Sequence, residues 1–363
     1  MHKKLKISKN KKVLVAMSGG VDSSVAAYLL QKEGFDVTGV TMCFGVKSQN
    51  RKKPACCGKE NLDDAKKVCD MLGMRHITMD FSKILEKEVI DGFVKDYMNG
   101  RTPNPCVECN KNLKFGVLLK KSLALRFDFL ATGHYARIEK NKKDYLLKKA
   151  RDPIKDQSYF LYSIKSDTLK YLIFPLGDIM KTEVREIAKK VGLPVADKPQ
   201  SQDRCFIPYK NYHTFLVERI KSRIEKGPIF DLKEKVLGQH RGAAFYTIGQ
   251  RGGLGIGYKH ALYVVAVDTK KNHLIVGEKK DLRMRGLLAE HLNMLTKKIP
   301  KKAHAKIRYN HKEARCQVIV KNSRMRIIFD EPQEAITPGQ SAVLYNRDIV
   351  LGGGIIEKAL RLK

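Results

Sequence analysis

The chain has 363 residues, 43% of them hydrophobic, and carries 71 Lys+Arg against 38 Asp+Glu for a formal net charge of +33. That length asks for two or three domains rather than one core, and no apolar run approaches the roughly 18 residues that cross a bilayer. The lysine-rich start, Met1 to Lys12, precedes no signal-like apolar core, so a cytoplasmic protein with no membrane partner is expected.

The charge excess suits a polyanion, nucleic acid above all, although a lysine-rich proteome also yields basic surfaces. There is no tryptophan, which leaves base stacking to Tyr, Phe, His or Arg. A large cytosolic chain does not need its eight cysteines as staples. Such thiols are catalytic, metal-binding or simply buried.

Val13 to Met17 reads as a buried strand, and the apolar spacing of Val25 to Leu30 suits a helix. Between them lies Ser18-Gly19-Gly20-Val21-Asp22-Ser23-Ser24. The glycines allow positive φ and close approach of a ligand. The Ser and Asp side chains can cap the helix start, and open N–H groups there favour an anion. The loop lacks the lysine of a kinase-type phosphate loop.

Asp36 to Met42 reads as a second strand, which completes a strand–helix–strand unit of a parallel sheet. Ligands of such sheets sit beyond the carboxyl ends of the strands. Met42 stands at one, where it either meets a ligand or packs in the core. Residues 47 to 57 read as a basic loop. Its Cys56-Cys57 pair has no neighbouring Cys or His at zinc spacing. Asn61 to Leu72 is an amphipathic helix with Cys69 as a core thiol, His76 to Asp80 a strand, and Ile84 to Met98 a helix.

Two prolines bracket Asn104 in Gly100 to Lys111, which makes a rigid loop. A helix is expected from Asn112 to Leu123, so Cys109 would lie near a helix N-terminus, where a thiolate is favoured. Phe127 to Thr132 reads as a strand ending in Gly133-His134-Tyr135-Ala136-Arg137. Ala136 to Glu139 pairs with Tyr145 to Lys149 as a hairpin, and Lys155 to Leu161 follows. The spacing predicts a helix over Lys181 to Val191, with Thr182 as cap and Gly192-Leu193-Pro194 as stop. Cys205, beside Arg204 in a polar loop bounded by prolines, reads as a reactive thiol.

From Tyr212 the character changes. One helix, Tyr212 to Lys221, gives way to glycine-rich β-type sequence, with a hairpin at Leu262 to Asp268 and Leu274 to Gly277. Five short alternating stretches between Ala303 and Ile356 read as a small β-barrel. The expected domains are 1–211, 212–279 and 280–363.

The Ser-Gly-Gly-x-Asp-Ser pattern resembles the PP-loop of the ATP pyrophosphatases, which cleave ATP between the α and β phosphates. Taken in order, Met17 to Ser24, Thr102 to Lys111, Thr132 to Arg137, Lys155 to Leu161, Ser201 to Pro208, Tyr246 to Gly257 and Thr337 to Tyr345 resemble the tRNA-uridine 2-sulfurtransferases, the 2-thiouridylases. The resemblance covers nearly the whole chain. It implies an α/β fold: a PP-loop, Rossmann-like parallel-sheet domain, a small central domain and a C-terminal β-barrel. The implied reaction adenylates the C2 oxygen of the wobble uridine of the tRNAs for Lys, Glu and Gln with ATP and Mg²⁺, then replaces that oxygen by sulfur.

On this resemblance Ala16, Met17, Ser18, Gly19, Gly20, Val21, Asp22, Ser23, Met42 and Gly133 contact ATP. Asn104, Pro105 and Cys106 face the target base. His134, Lys155, Asp156, Gln157, Arg308, Tyr309 and Gln340 touch the tRNA. Cys205 accepts a persulfide from a cysteine desulfurase or relay protein. Cys109 attacks it, and a transient Cys109–Cys205 disulfide forms. Some members carry Asp, assigned as a base, where this chain has Cys106. The change creates Cys106-x-x-Cys109, so Cys106, Cys109 and Cys205 could instead ligate a [4Fe–4S] cluster. A PP-loop ligase acting on a small carboxylate would explain the loop but neither these thiols nor the charge. A noncatalytic RNA-binding protein would tolerate loss of Cys205.

If the charge is a nucleic-acid footprint, the logarithm of tRNA affinity falls steeply and linearly with the logarithm of salt concentration. A flat response in a filter-binding titration would reject that assignment.

Overall fold

The computed structural model describes residues 10–45, 59–142, 144–199, 206–207, 212–220 and 224–361. The chain divides into two compact units. The first holds residues 1–89, 106–208 and 348–350, and the second holds 90–105, 209–347 and 351–363.

The first unit is built on a five-stranded parallel sheet. Its strands are β1 (Lys12–Ala16), β2 (Asp36–Cys43), β3 (Arg75–Asp80), β4 (Phe129–Thr132) and, after the antiparallel hairpin of β5 (Ala136–Asn141) and β6 (Asp144–Lys149), β7 (Leu172–Ile173). Their order is β3-β2-β1-β4-β7. A central parallel strand is covered on both faces, so it reads as a continuous apolar run. Val13, Leu14 and Val15 are accordingly fully buried. Complete burial of such side chains contributes about 1.5–3 kcal/mol each. Helices α1 (Val21–Lys32) and α2 (Lys59–Met71) connect the first three strands.

The next long helix, α3, begins earlier than its sequence suggests. It runs as an α turn over Pro105–Glu108, a π segment over Cys109–Leu118 and an α turn over Leu119–Ala124. Proline at a first helical position has no N–H to lose and a suitable φ, so the start is Pro105 rather than Asn112. Gly116 suits the wide π turn, because a Cβ there would lie 2.8 Å from the Lys111 carbonyl oxygen. Helix α4 (Lys181–Val191) ends as expected at Gly192, with φ +73°. Its cap position is Met180 rather than Thr182. The Met180 N–H donates to Glu183 Oε2 at 2.7 Å, so a side chain inside the first turn reaches back to the cap.

In the second unit, helix Asp91–Met98 packs on α5 (Tyr212–Ile220) through Phe93 on Phe215 and a stacked Tyr97–Tyr212 pair with centroids 4.8 Å apart. A four-stranded sheet follows, of β8 (Gly227–Phe230), β9 (Val236–His240), β10 (Tyr263–Asp268) and β11 (His273–Gly277), in the order β10-β11-β8-β9. Ile229, Val264, Leu274 and Val276 form its core.

The last strands are β12 (Arg283–Met294), β13 (Lys302–Lys306), β14 (Ala314–Lys321), β15 (Arg324–Glu334), β16 (Ser341–Asn346) and β17 (Ile349–Leu360). They form a barrel in the order β12-β15-β14-β13-β16-β17, closed by pairing of β12 with β17. β12 is not legible in the sequence. Register shifts at Met284/Gly286 and Glu290/Asn293 break its alternation. No helix among the described residues is long and apolar enough to cross a membrane.

Gly177 is a tight point of the first unit. A Cβ there would sit 2.1 Å from the carbonyl oxygen of Ala136. Gly177→Ala is expected to destabilise the chain by about 1–3 kcal/mol, as overpacking does, and to lower the thermal midpoint by several degrees. An unchanged midpoint would contradict this contact.

Candidate active site

The carboxyl end of β1 leads straight into the glycine loop. Neighbouring strands bring their own ends beside it, since Ala16 is in register with Val40 of β2 and Thr132 of β4. Gly19 takes φ +70°, and a Cβ on it would lie 2.1 Å from the Asn61 carbonyl oxygen of α2. Gly20 is the cap residue of α1, and no side chain caps that helix. This corrects the expectation that Ser or Asp would do so. The Ser23 and Ser24 hydroxyls instead donate to the Gly20 carbonyl, at 3.1 and 2.9 Å. The first-turn N–H groups are thereby left for an anion.

Gly133, just past β4, lets that strand end reach the same turn. A Cβ there would stand 2.8 Å from the Asp22 carbonyl carbon and the Ser23 nitrogen. Met42 is partly exposed, one residue before the end of β2. The expected nucleotide residues of β1, the loop, β2 and β4 are therefore gathered at one edge of the sheet.

The cleft at this edge is lined by Ser18, Gly20, Val21, Asp22, Lys181, Arg185, Lys198 and Pro199. Three cations line it beside the Asp22 carboxylate, and with Asp64 paired to Lys198 the group keeps an excess of positive charge, which suits phosphates. Asp22 Oδ1 accepts from the Tyr135 hydroxyl at 2.7 Å and pairs closely with the Lys181 ammonium. The Lys198 ammonium donates to Asn61 Oδ1 at 2.7 Å, Asp64 Oδ2 at 2.6 Å and the Gly19 carbonyl at 3.2 Å. Sequence reasoning missed Lys181, Arg185, Lys198 and Tyr135. The legible signal was the four-residue spacing of Lys181 and Arg185, which puts both on one face of α4.

Segment 150–158 is pinned from several sides. Asp156 is buried and accepts from the N–H groups of Ala150 and Ser158 and from the Ser158 hydroxyl. Gln157 pairs with Tyr135 twice, accepting from its N–H at 2.9 Å and donating to its carbonyl at 2.8 Å. Lys155 lies on the same segment, its N–H held by Asp152 Oδ1. His134 packs between Phe115 and Phe174, and its Nδ1 lies 2.6 Å from Thr132 Oγ1.

Cys106 and Cys109 stand one turn apart on α3, the first partly exposed and the second buried. Cys205, Cys56 and Cys57 lie outside the described residues. Cys69 and Cys316 are core thiols, which burial pushes up to about 11 and about 12 respectively. No cluster of three or more metal-ligating side chains occurs among the described residues.

The remaining expected contacts fall in the second unit. Gln340 Nε2 donates to the carbonyls of Thr102, at 2.9 Å, and Pro103, at 3.4 Å, and so braces the loop just before Asn104 and Pro105. Arg308 donates to the Ile248 carbonyl at 2.9 Å and to the Thr337 hydroxyl. Tyr309 follows it, with the Lys306 ammonium 5.4 Å from its ring centre.

Three family models match successive stretches of the chain. They are a tRNA methyl transferase HUP domain over residues 11–209, a tRNA methyl transferase PRC-barrel domain over 213–278 and an aminomethyltransferase beta-barrel domain over 284–356. The chain is 51% identical to tRNA-specific 2-thiouridylase MnmA 1 of Syntrophus aciditrophicus, covering 96% of this chain and 94% of that one. It is 46% identical to the MnmA of Moorella thermoacetica, covering 96% of this chain and all of that one. Identity to the MnmA of Clostridioides difficile is 43%, over 97% and 99% of the two chains.

Burial, aided by the Lys114 charge, holds the His134 imidazole well below its ordinary range, and burial lowers His76 and His240 as well. The unfolded chain therefore binds protons near pH 6.5 that the folded chain refuses, so stability drops as pH falls through that value. Denaturant midpoints at pH 7.5 and 5.5 should show the loss, and His134→Gln should reduce it. A pH-independent midpoint would contradict the neutral imidazoles.

Proposed function

The chain belongs to the tRNA-specific 2-thiouridylase family, and on that premise we propose that it converts the wobble uridine of the tRNAs for Lys, Glu and Gln to 2-thiouridine, in the cytoplasm and at the expense of ATP. The observation that carries this reading is the cationic cleft at an uncapped helix start, beside Asp22. A urea-like C2 oxygen is a poor leaving group. Attack of that oxygen on the α-phosphorus expels pyrophosphate and makes it a good one. Ala16 to Ser23, Met42 and Gly133 hold the nucleotide. Lys181, Arg185 and Lys198 hold its phosphates, and the N–H groups of α1 face the charge that develops on them.

Both donors to Asp22 fall on Oδ1, and Oδ2 accepts no hydrogen bond among the described residues. One carboxylate oxygen beside substrate phosphates suits Mg²⁺. Asp22 would hold the ion, which would neutralise phosphate charge.

Sulfur arrives as a persulfide on Cys205, loaded by a cysteine desulfurase or relay protein. The Cys109 thiolate attacks the inner sulfur of Cys205, and the S–S bond to the outer sulfur breaks. Hydrosulfide leaves, adds to C2 and displaces AMP, while Cys109 and Cys205 form a disulfide. A two-electron dithiol reductant resets the pair. Asn104, Pro105 and Cys106 present the base. His134, Lys155, Asp156, Gln157, Arg308, Tyr309 and Gln340 form or support the tRNA surface.

The division of labour is a catalytic domain over 1–211, a small central domain over 212–279 and a tRNA-contacting barrel over 280–363. It is supported by the breaks between the family models at 209/213 and 278/284. A second reading keeps the substrate and makes Cys106, Cys109 and Cys205 the ligands of a [4Fe–4S] cluster with an iron open to sulfide. It is favoured by the placement of Cys106 and Cys109 one turn apart on α3.

Protein purified without oxygen, given tRNA, ATP and a persulfide donor, should release pyrophosphate and form 2-thiouridine. Asp22→Ala should stop both. Cys205→Ala should abolish thiolation yet leave tRNA affinity within about twofold. Iron-free protein with full activity supports the persulfide relay. About four irons per chain, lost with activity in Cys106→Ala, would establish the cluster reading instead. Normal pyrophosphate release by Asp22→Ala would reject the nucleotide site.

A further inference from the structure

We infer that Tyr135 is a positioning residue of the nucleotide site, keeping Asp22 oriented when Lys181 turns from that carboxylate to the phosphates. The inference rests on the nucleotide reading above and assigns a role to a side chain that the loop motif does not contain.

The Tyr135 ring is buried, with 3% exposure, and its hydroxyl donates to Asp22 Oδ1 at 2.7 Å. The Lys181 ammonium pairs with the same oxygen and lies 5.7 Å from the centre of the Tyr135 ring. Tyr135 thus touches both members of the ion pair. Burial and the neighbouring Asp22 charge raise its phenol pKa, so the hydroxyl stays a donor.

The base of this arrangement is rigid. Gln157 holds the Tyr135 backbone from both sides. Asp152 Oδ2 accepts from the Lys181 N–H at 2.9 Å, while Oδ1 accepts from Ile154 and Lys155. The backbones of the two groups that meet on Asp22 are therefore fixed by one short segment, residues 152–157.

A phosphate in the cleft competes with Asp22 for the Lys181 ammonium. Once Lys181 moves, the Tyr135 hydroxyl is the remaining described donor to Asp22. Without it the carboxylate would swing, and the Lys181–Asp22 pair would tighten in the empty cleft. Both effects weaken nucleotide binding.

The test is Tyr135→Phe, which keeps the ring and removes one oxygen. Calorimetry with Mg²⁺ and α,β-methylene ATP should show affinity reduced about tenfold, typical of a lost hydrogen bond to a charged group. The KM for ATP should rise by a similar factor with a smaller change in kcat. Affinity for tRNA should stay within about twofold, and the thermal midpoint should stay close to that of the wild type. In an Asp22→Asn background the same substitution should change nucleotide affinity less than threefold, because the partner charge is gone. Equal analogue affinity and KM in wild type and Tyr135→Phe would overturn the inference alone. Failure of the wild type to bind the analogue would overturn the nucleotide reading and the inference with it.

Discussion

The carboxylate of Asp22 meets two opposing demands. It stands in a cation-lined cleft, proposed above as the phosphate site, where another negative charge would be unwelcome, yet it is the acidic side chain lining that cleft. The fold resolves this by holding one of its oxygens with a hydroxyl and an ammonium from two distant segments. Orientation comes from Tyr135 and neutralisation from Lys181. Removing either donor leaves the carboxylate with a single support.

The parallel sheet makes that meeting possible. Strand β1 is central, so the ends of β2 and β4 lie beside its own end. Small residues at those ends, Gly19 and Gly133, let backbones approach to distances that a Cβ would forbid. The uncapped start of α1 supplies N–H groups at the same place. The hydroxyls of Ser23 and Ser24 turn inward to a carbonyl and leave those donors clear. Rigid strands and a tight loop therefore place charge with little freedom left to lose, which is the condition for electrostatic stabilisation of a developing anion.

The second unit meets a different need, the bracing of loops. The six-stranded barrel has no free edge strand among its members, because β12 pairs with both β15 and β17. Gln340 uses its amide on two loop carbonyls, and Arg308 uses its guanidinium on another. Polar side chains that would serve as anion contacts are here also the struts of their own surroundings. Substituting them would disturb loop shape as well as charge, so their effects on tRNA affinity would mix both causes.

Much of the first unit was legible because it is local. An apolar run, two glycines and a helix-spaced apolar pattern are decided within some twenty residues, and the strand–loop–helix frame at Val13 to Leu30 followed from them. The β5–β6 hairpin and the stop at Gly192 were legible for the same reason. The start of α3 and the cap of α4 were misplaced, since Pro105 and Glu183 act through geometry that composition does not display. β12 was hidden by its bulges. The order of chemistry-bearing segments was thus determined by sequence alone, through short-range backbone preferences and side-chain periodicity. Which side chains meet was decided only by the tertiary structure. Lys181 reaches Asp22 across 159 positions and Tyr135 across 113. No local preference encodes such a meeting; it exists because packing of the sheet and its helices brings remote segments within hydrogen-bond reach.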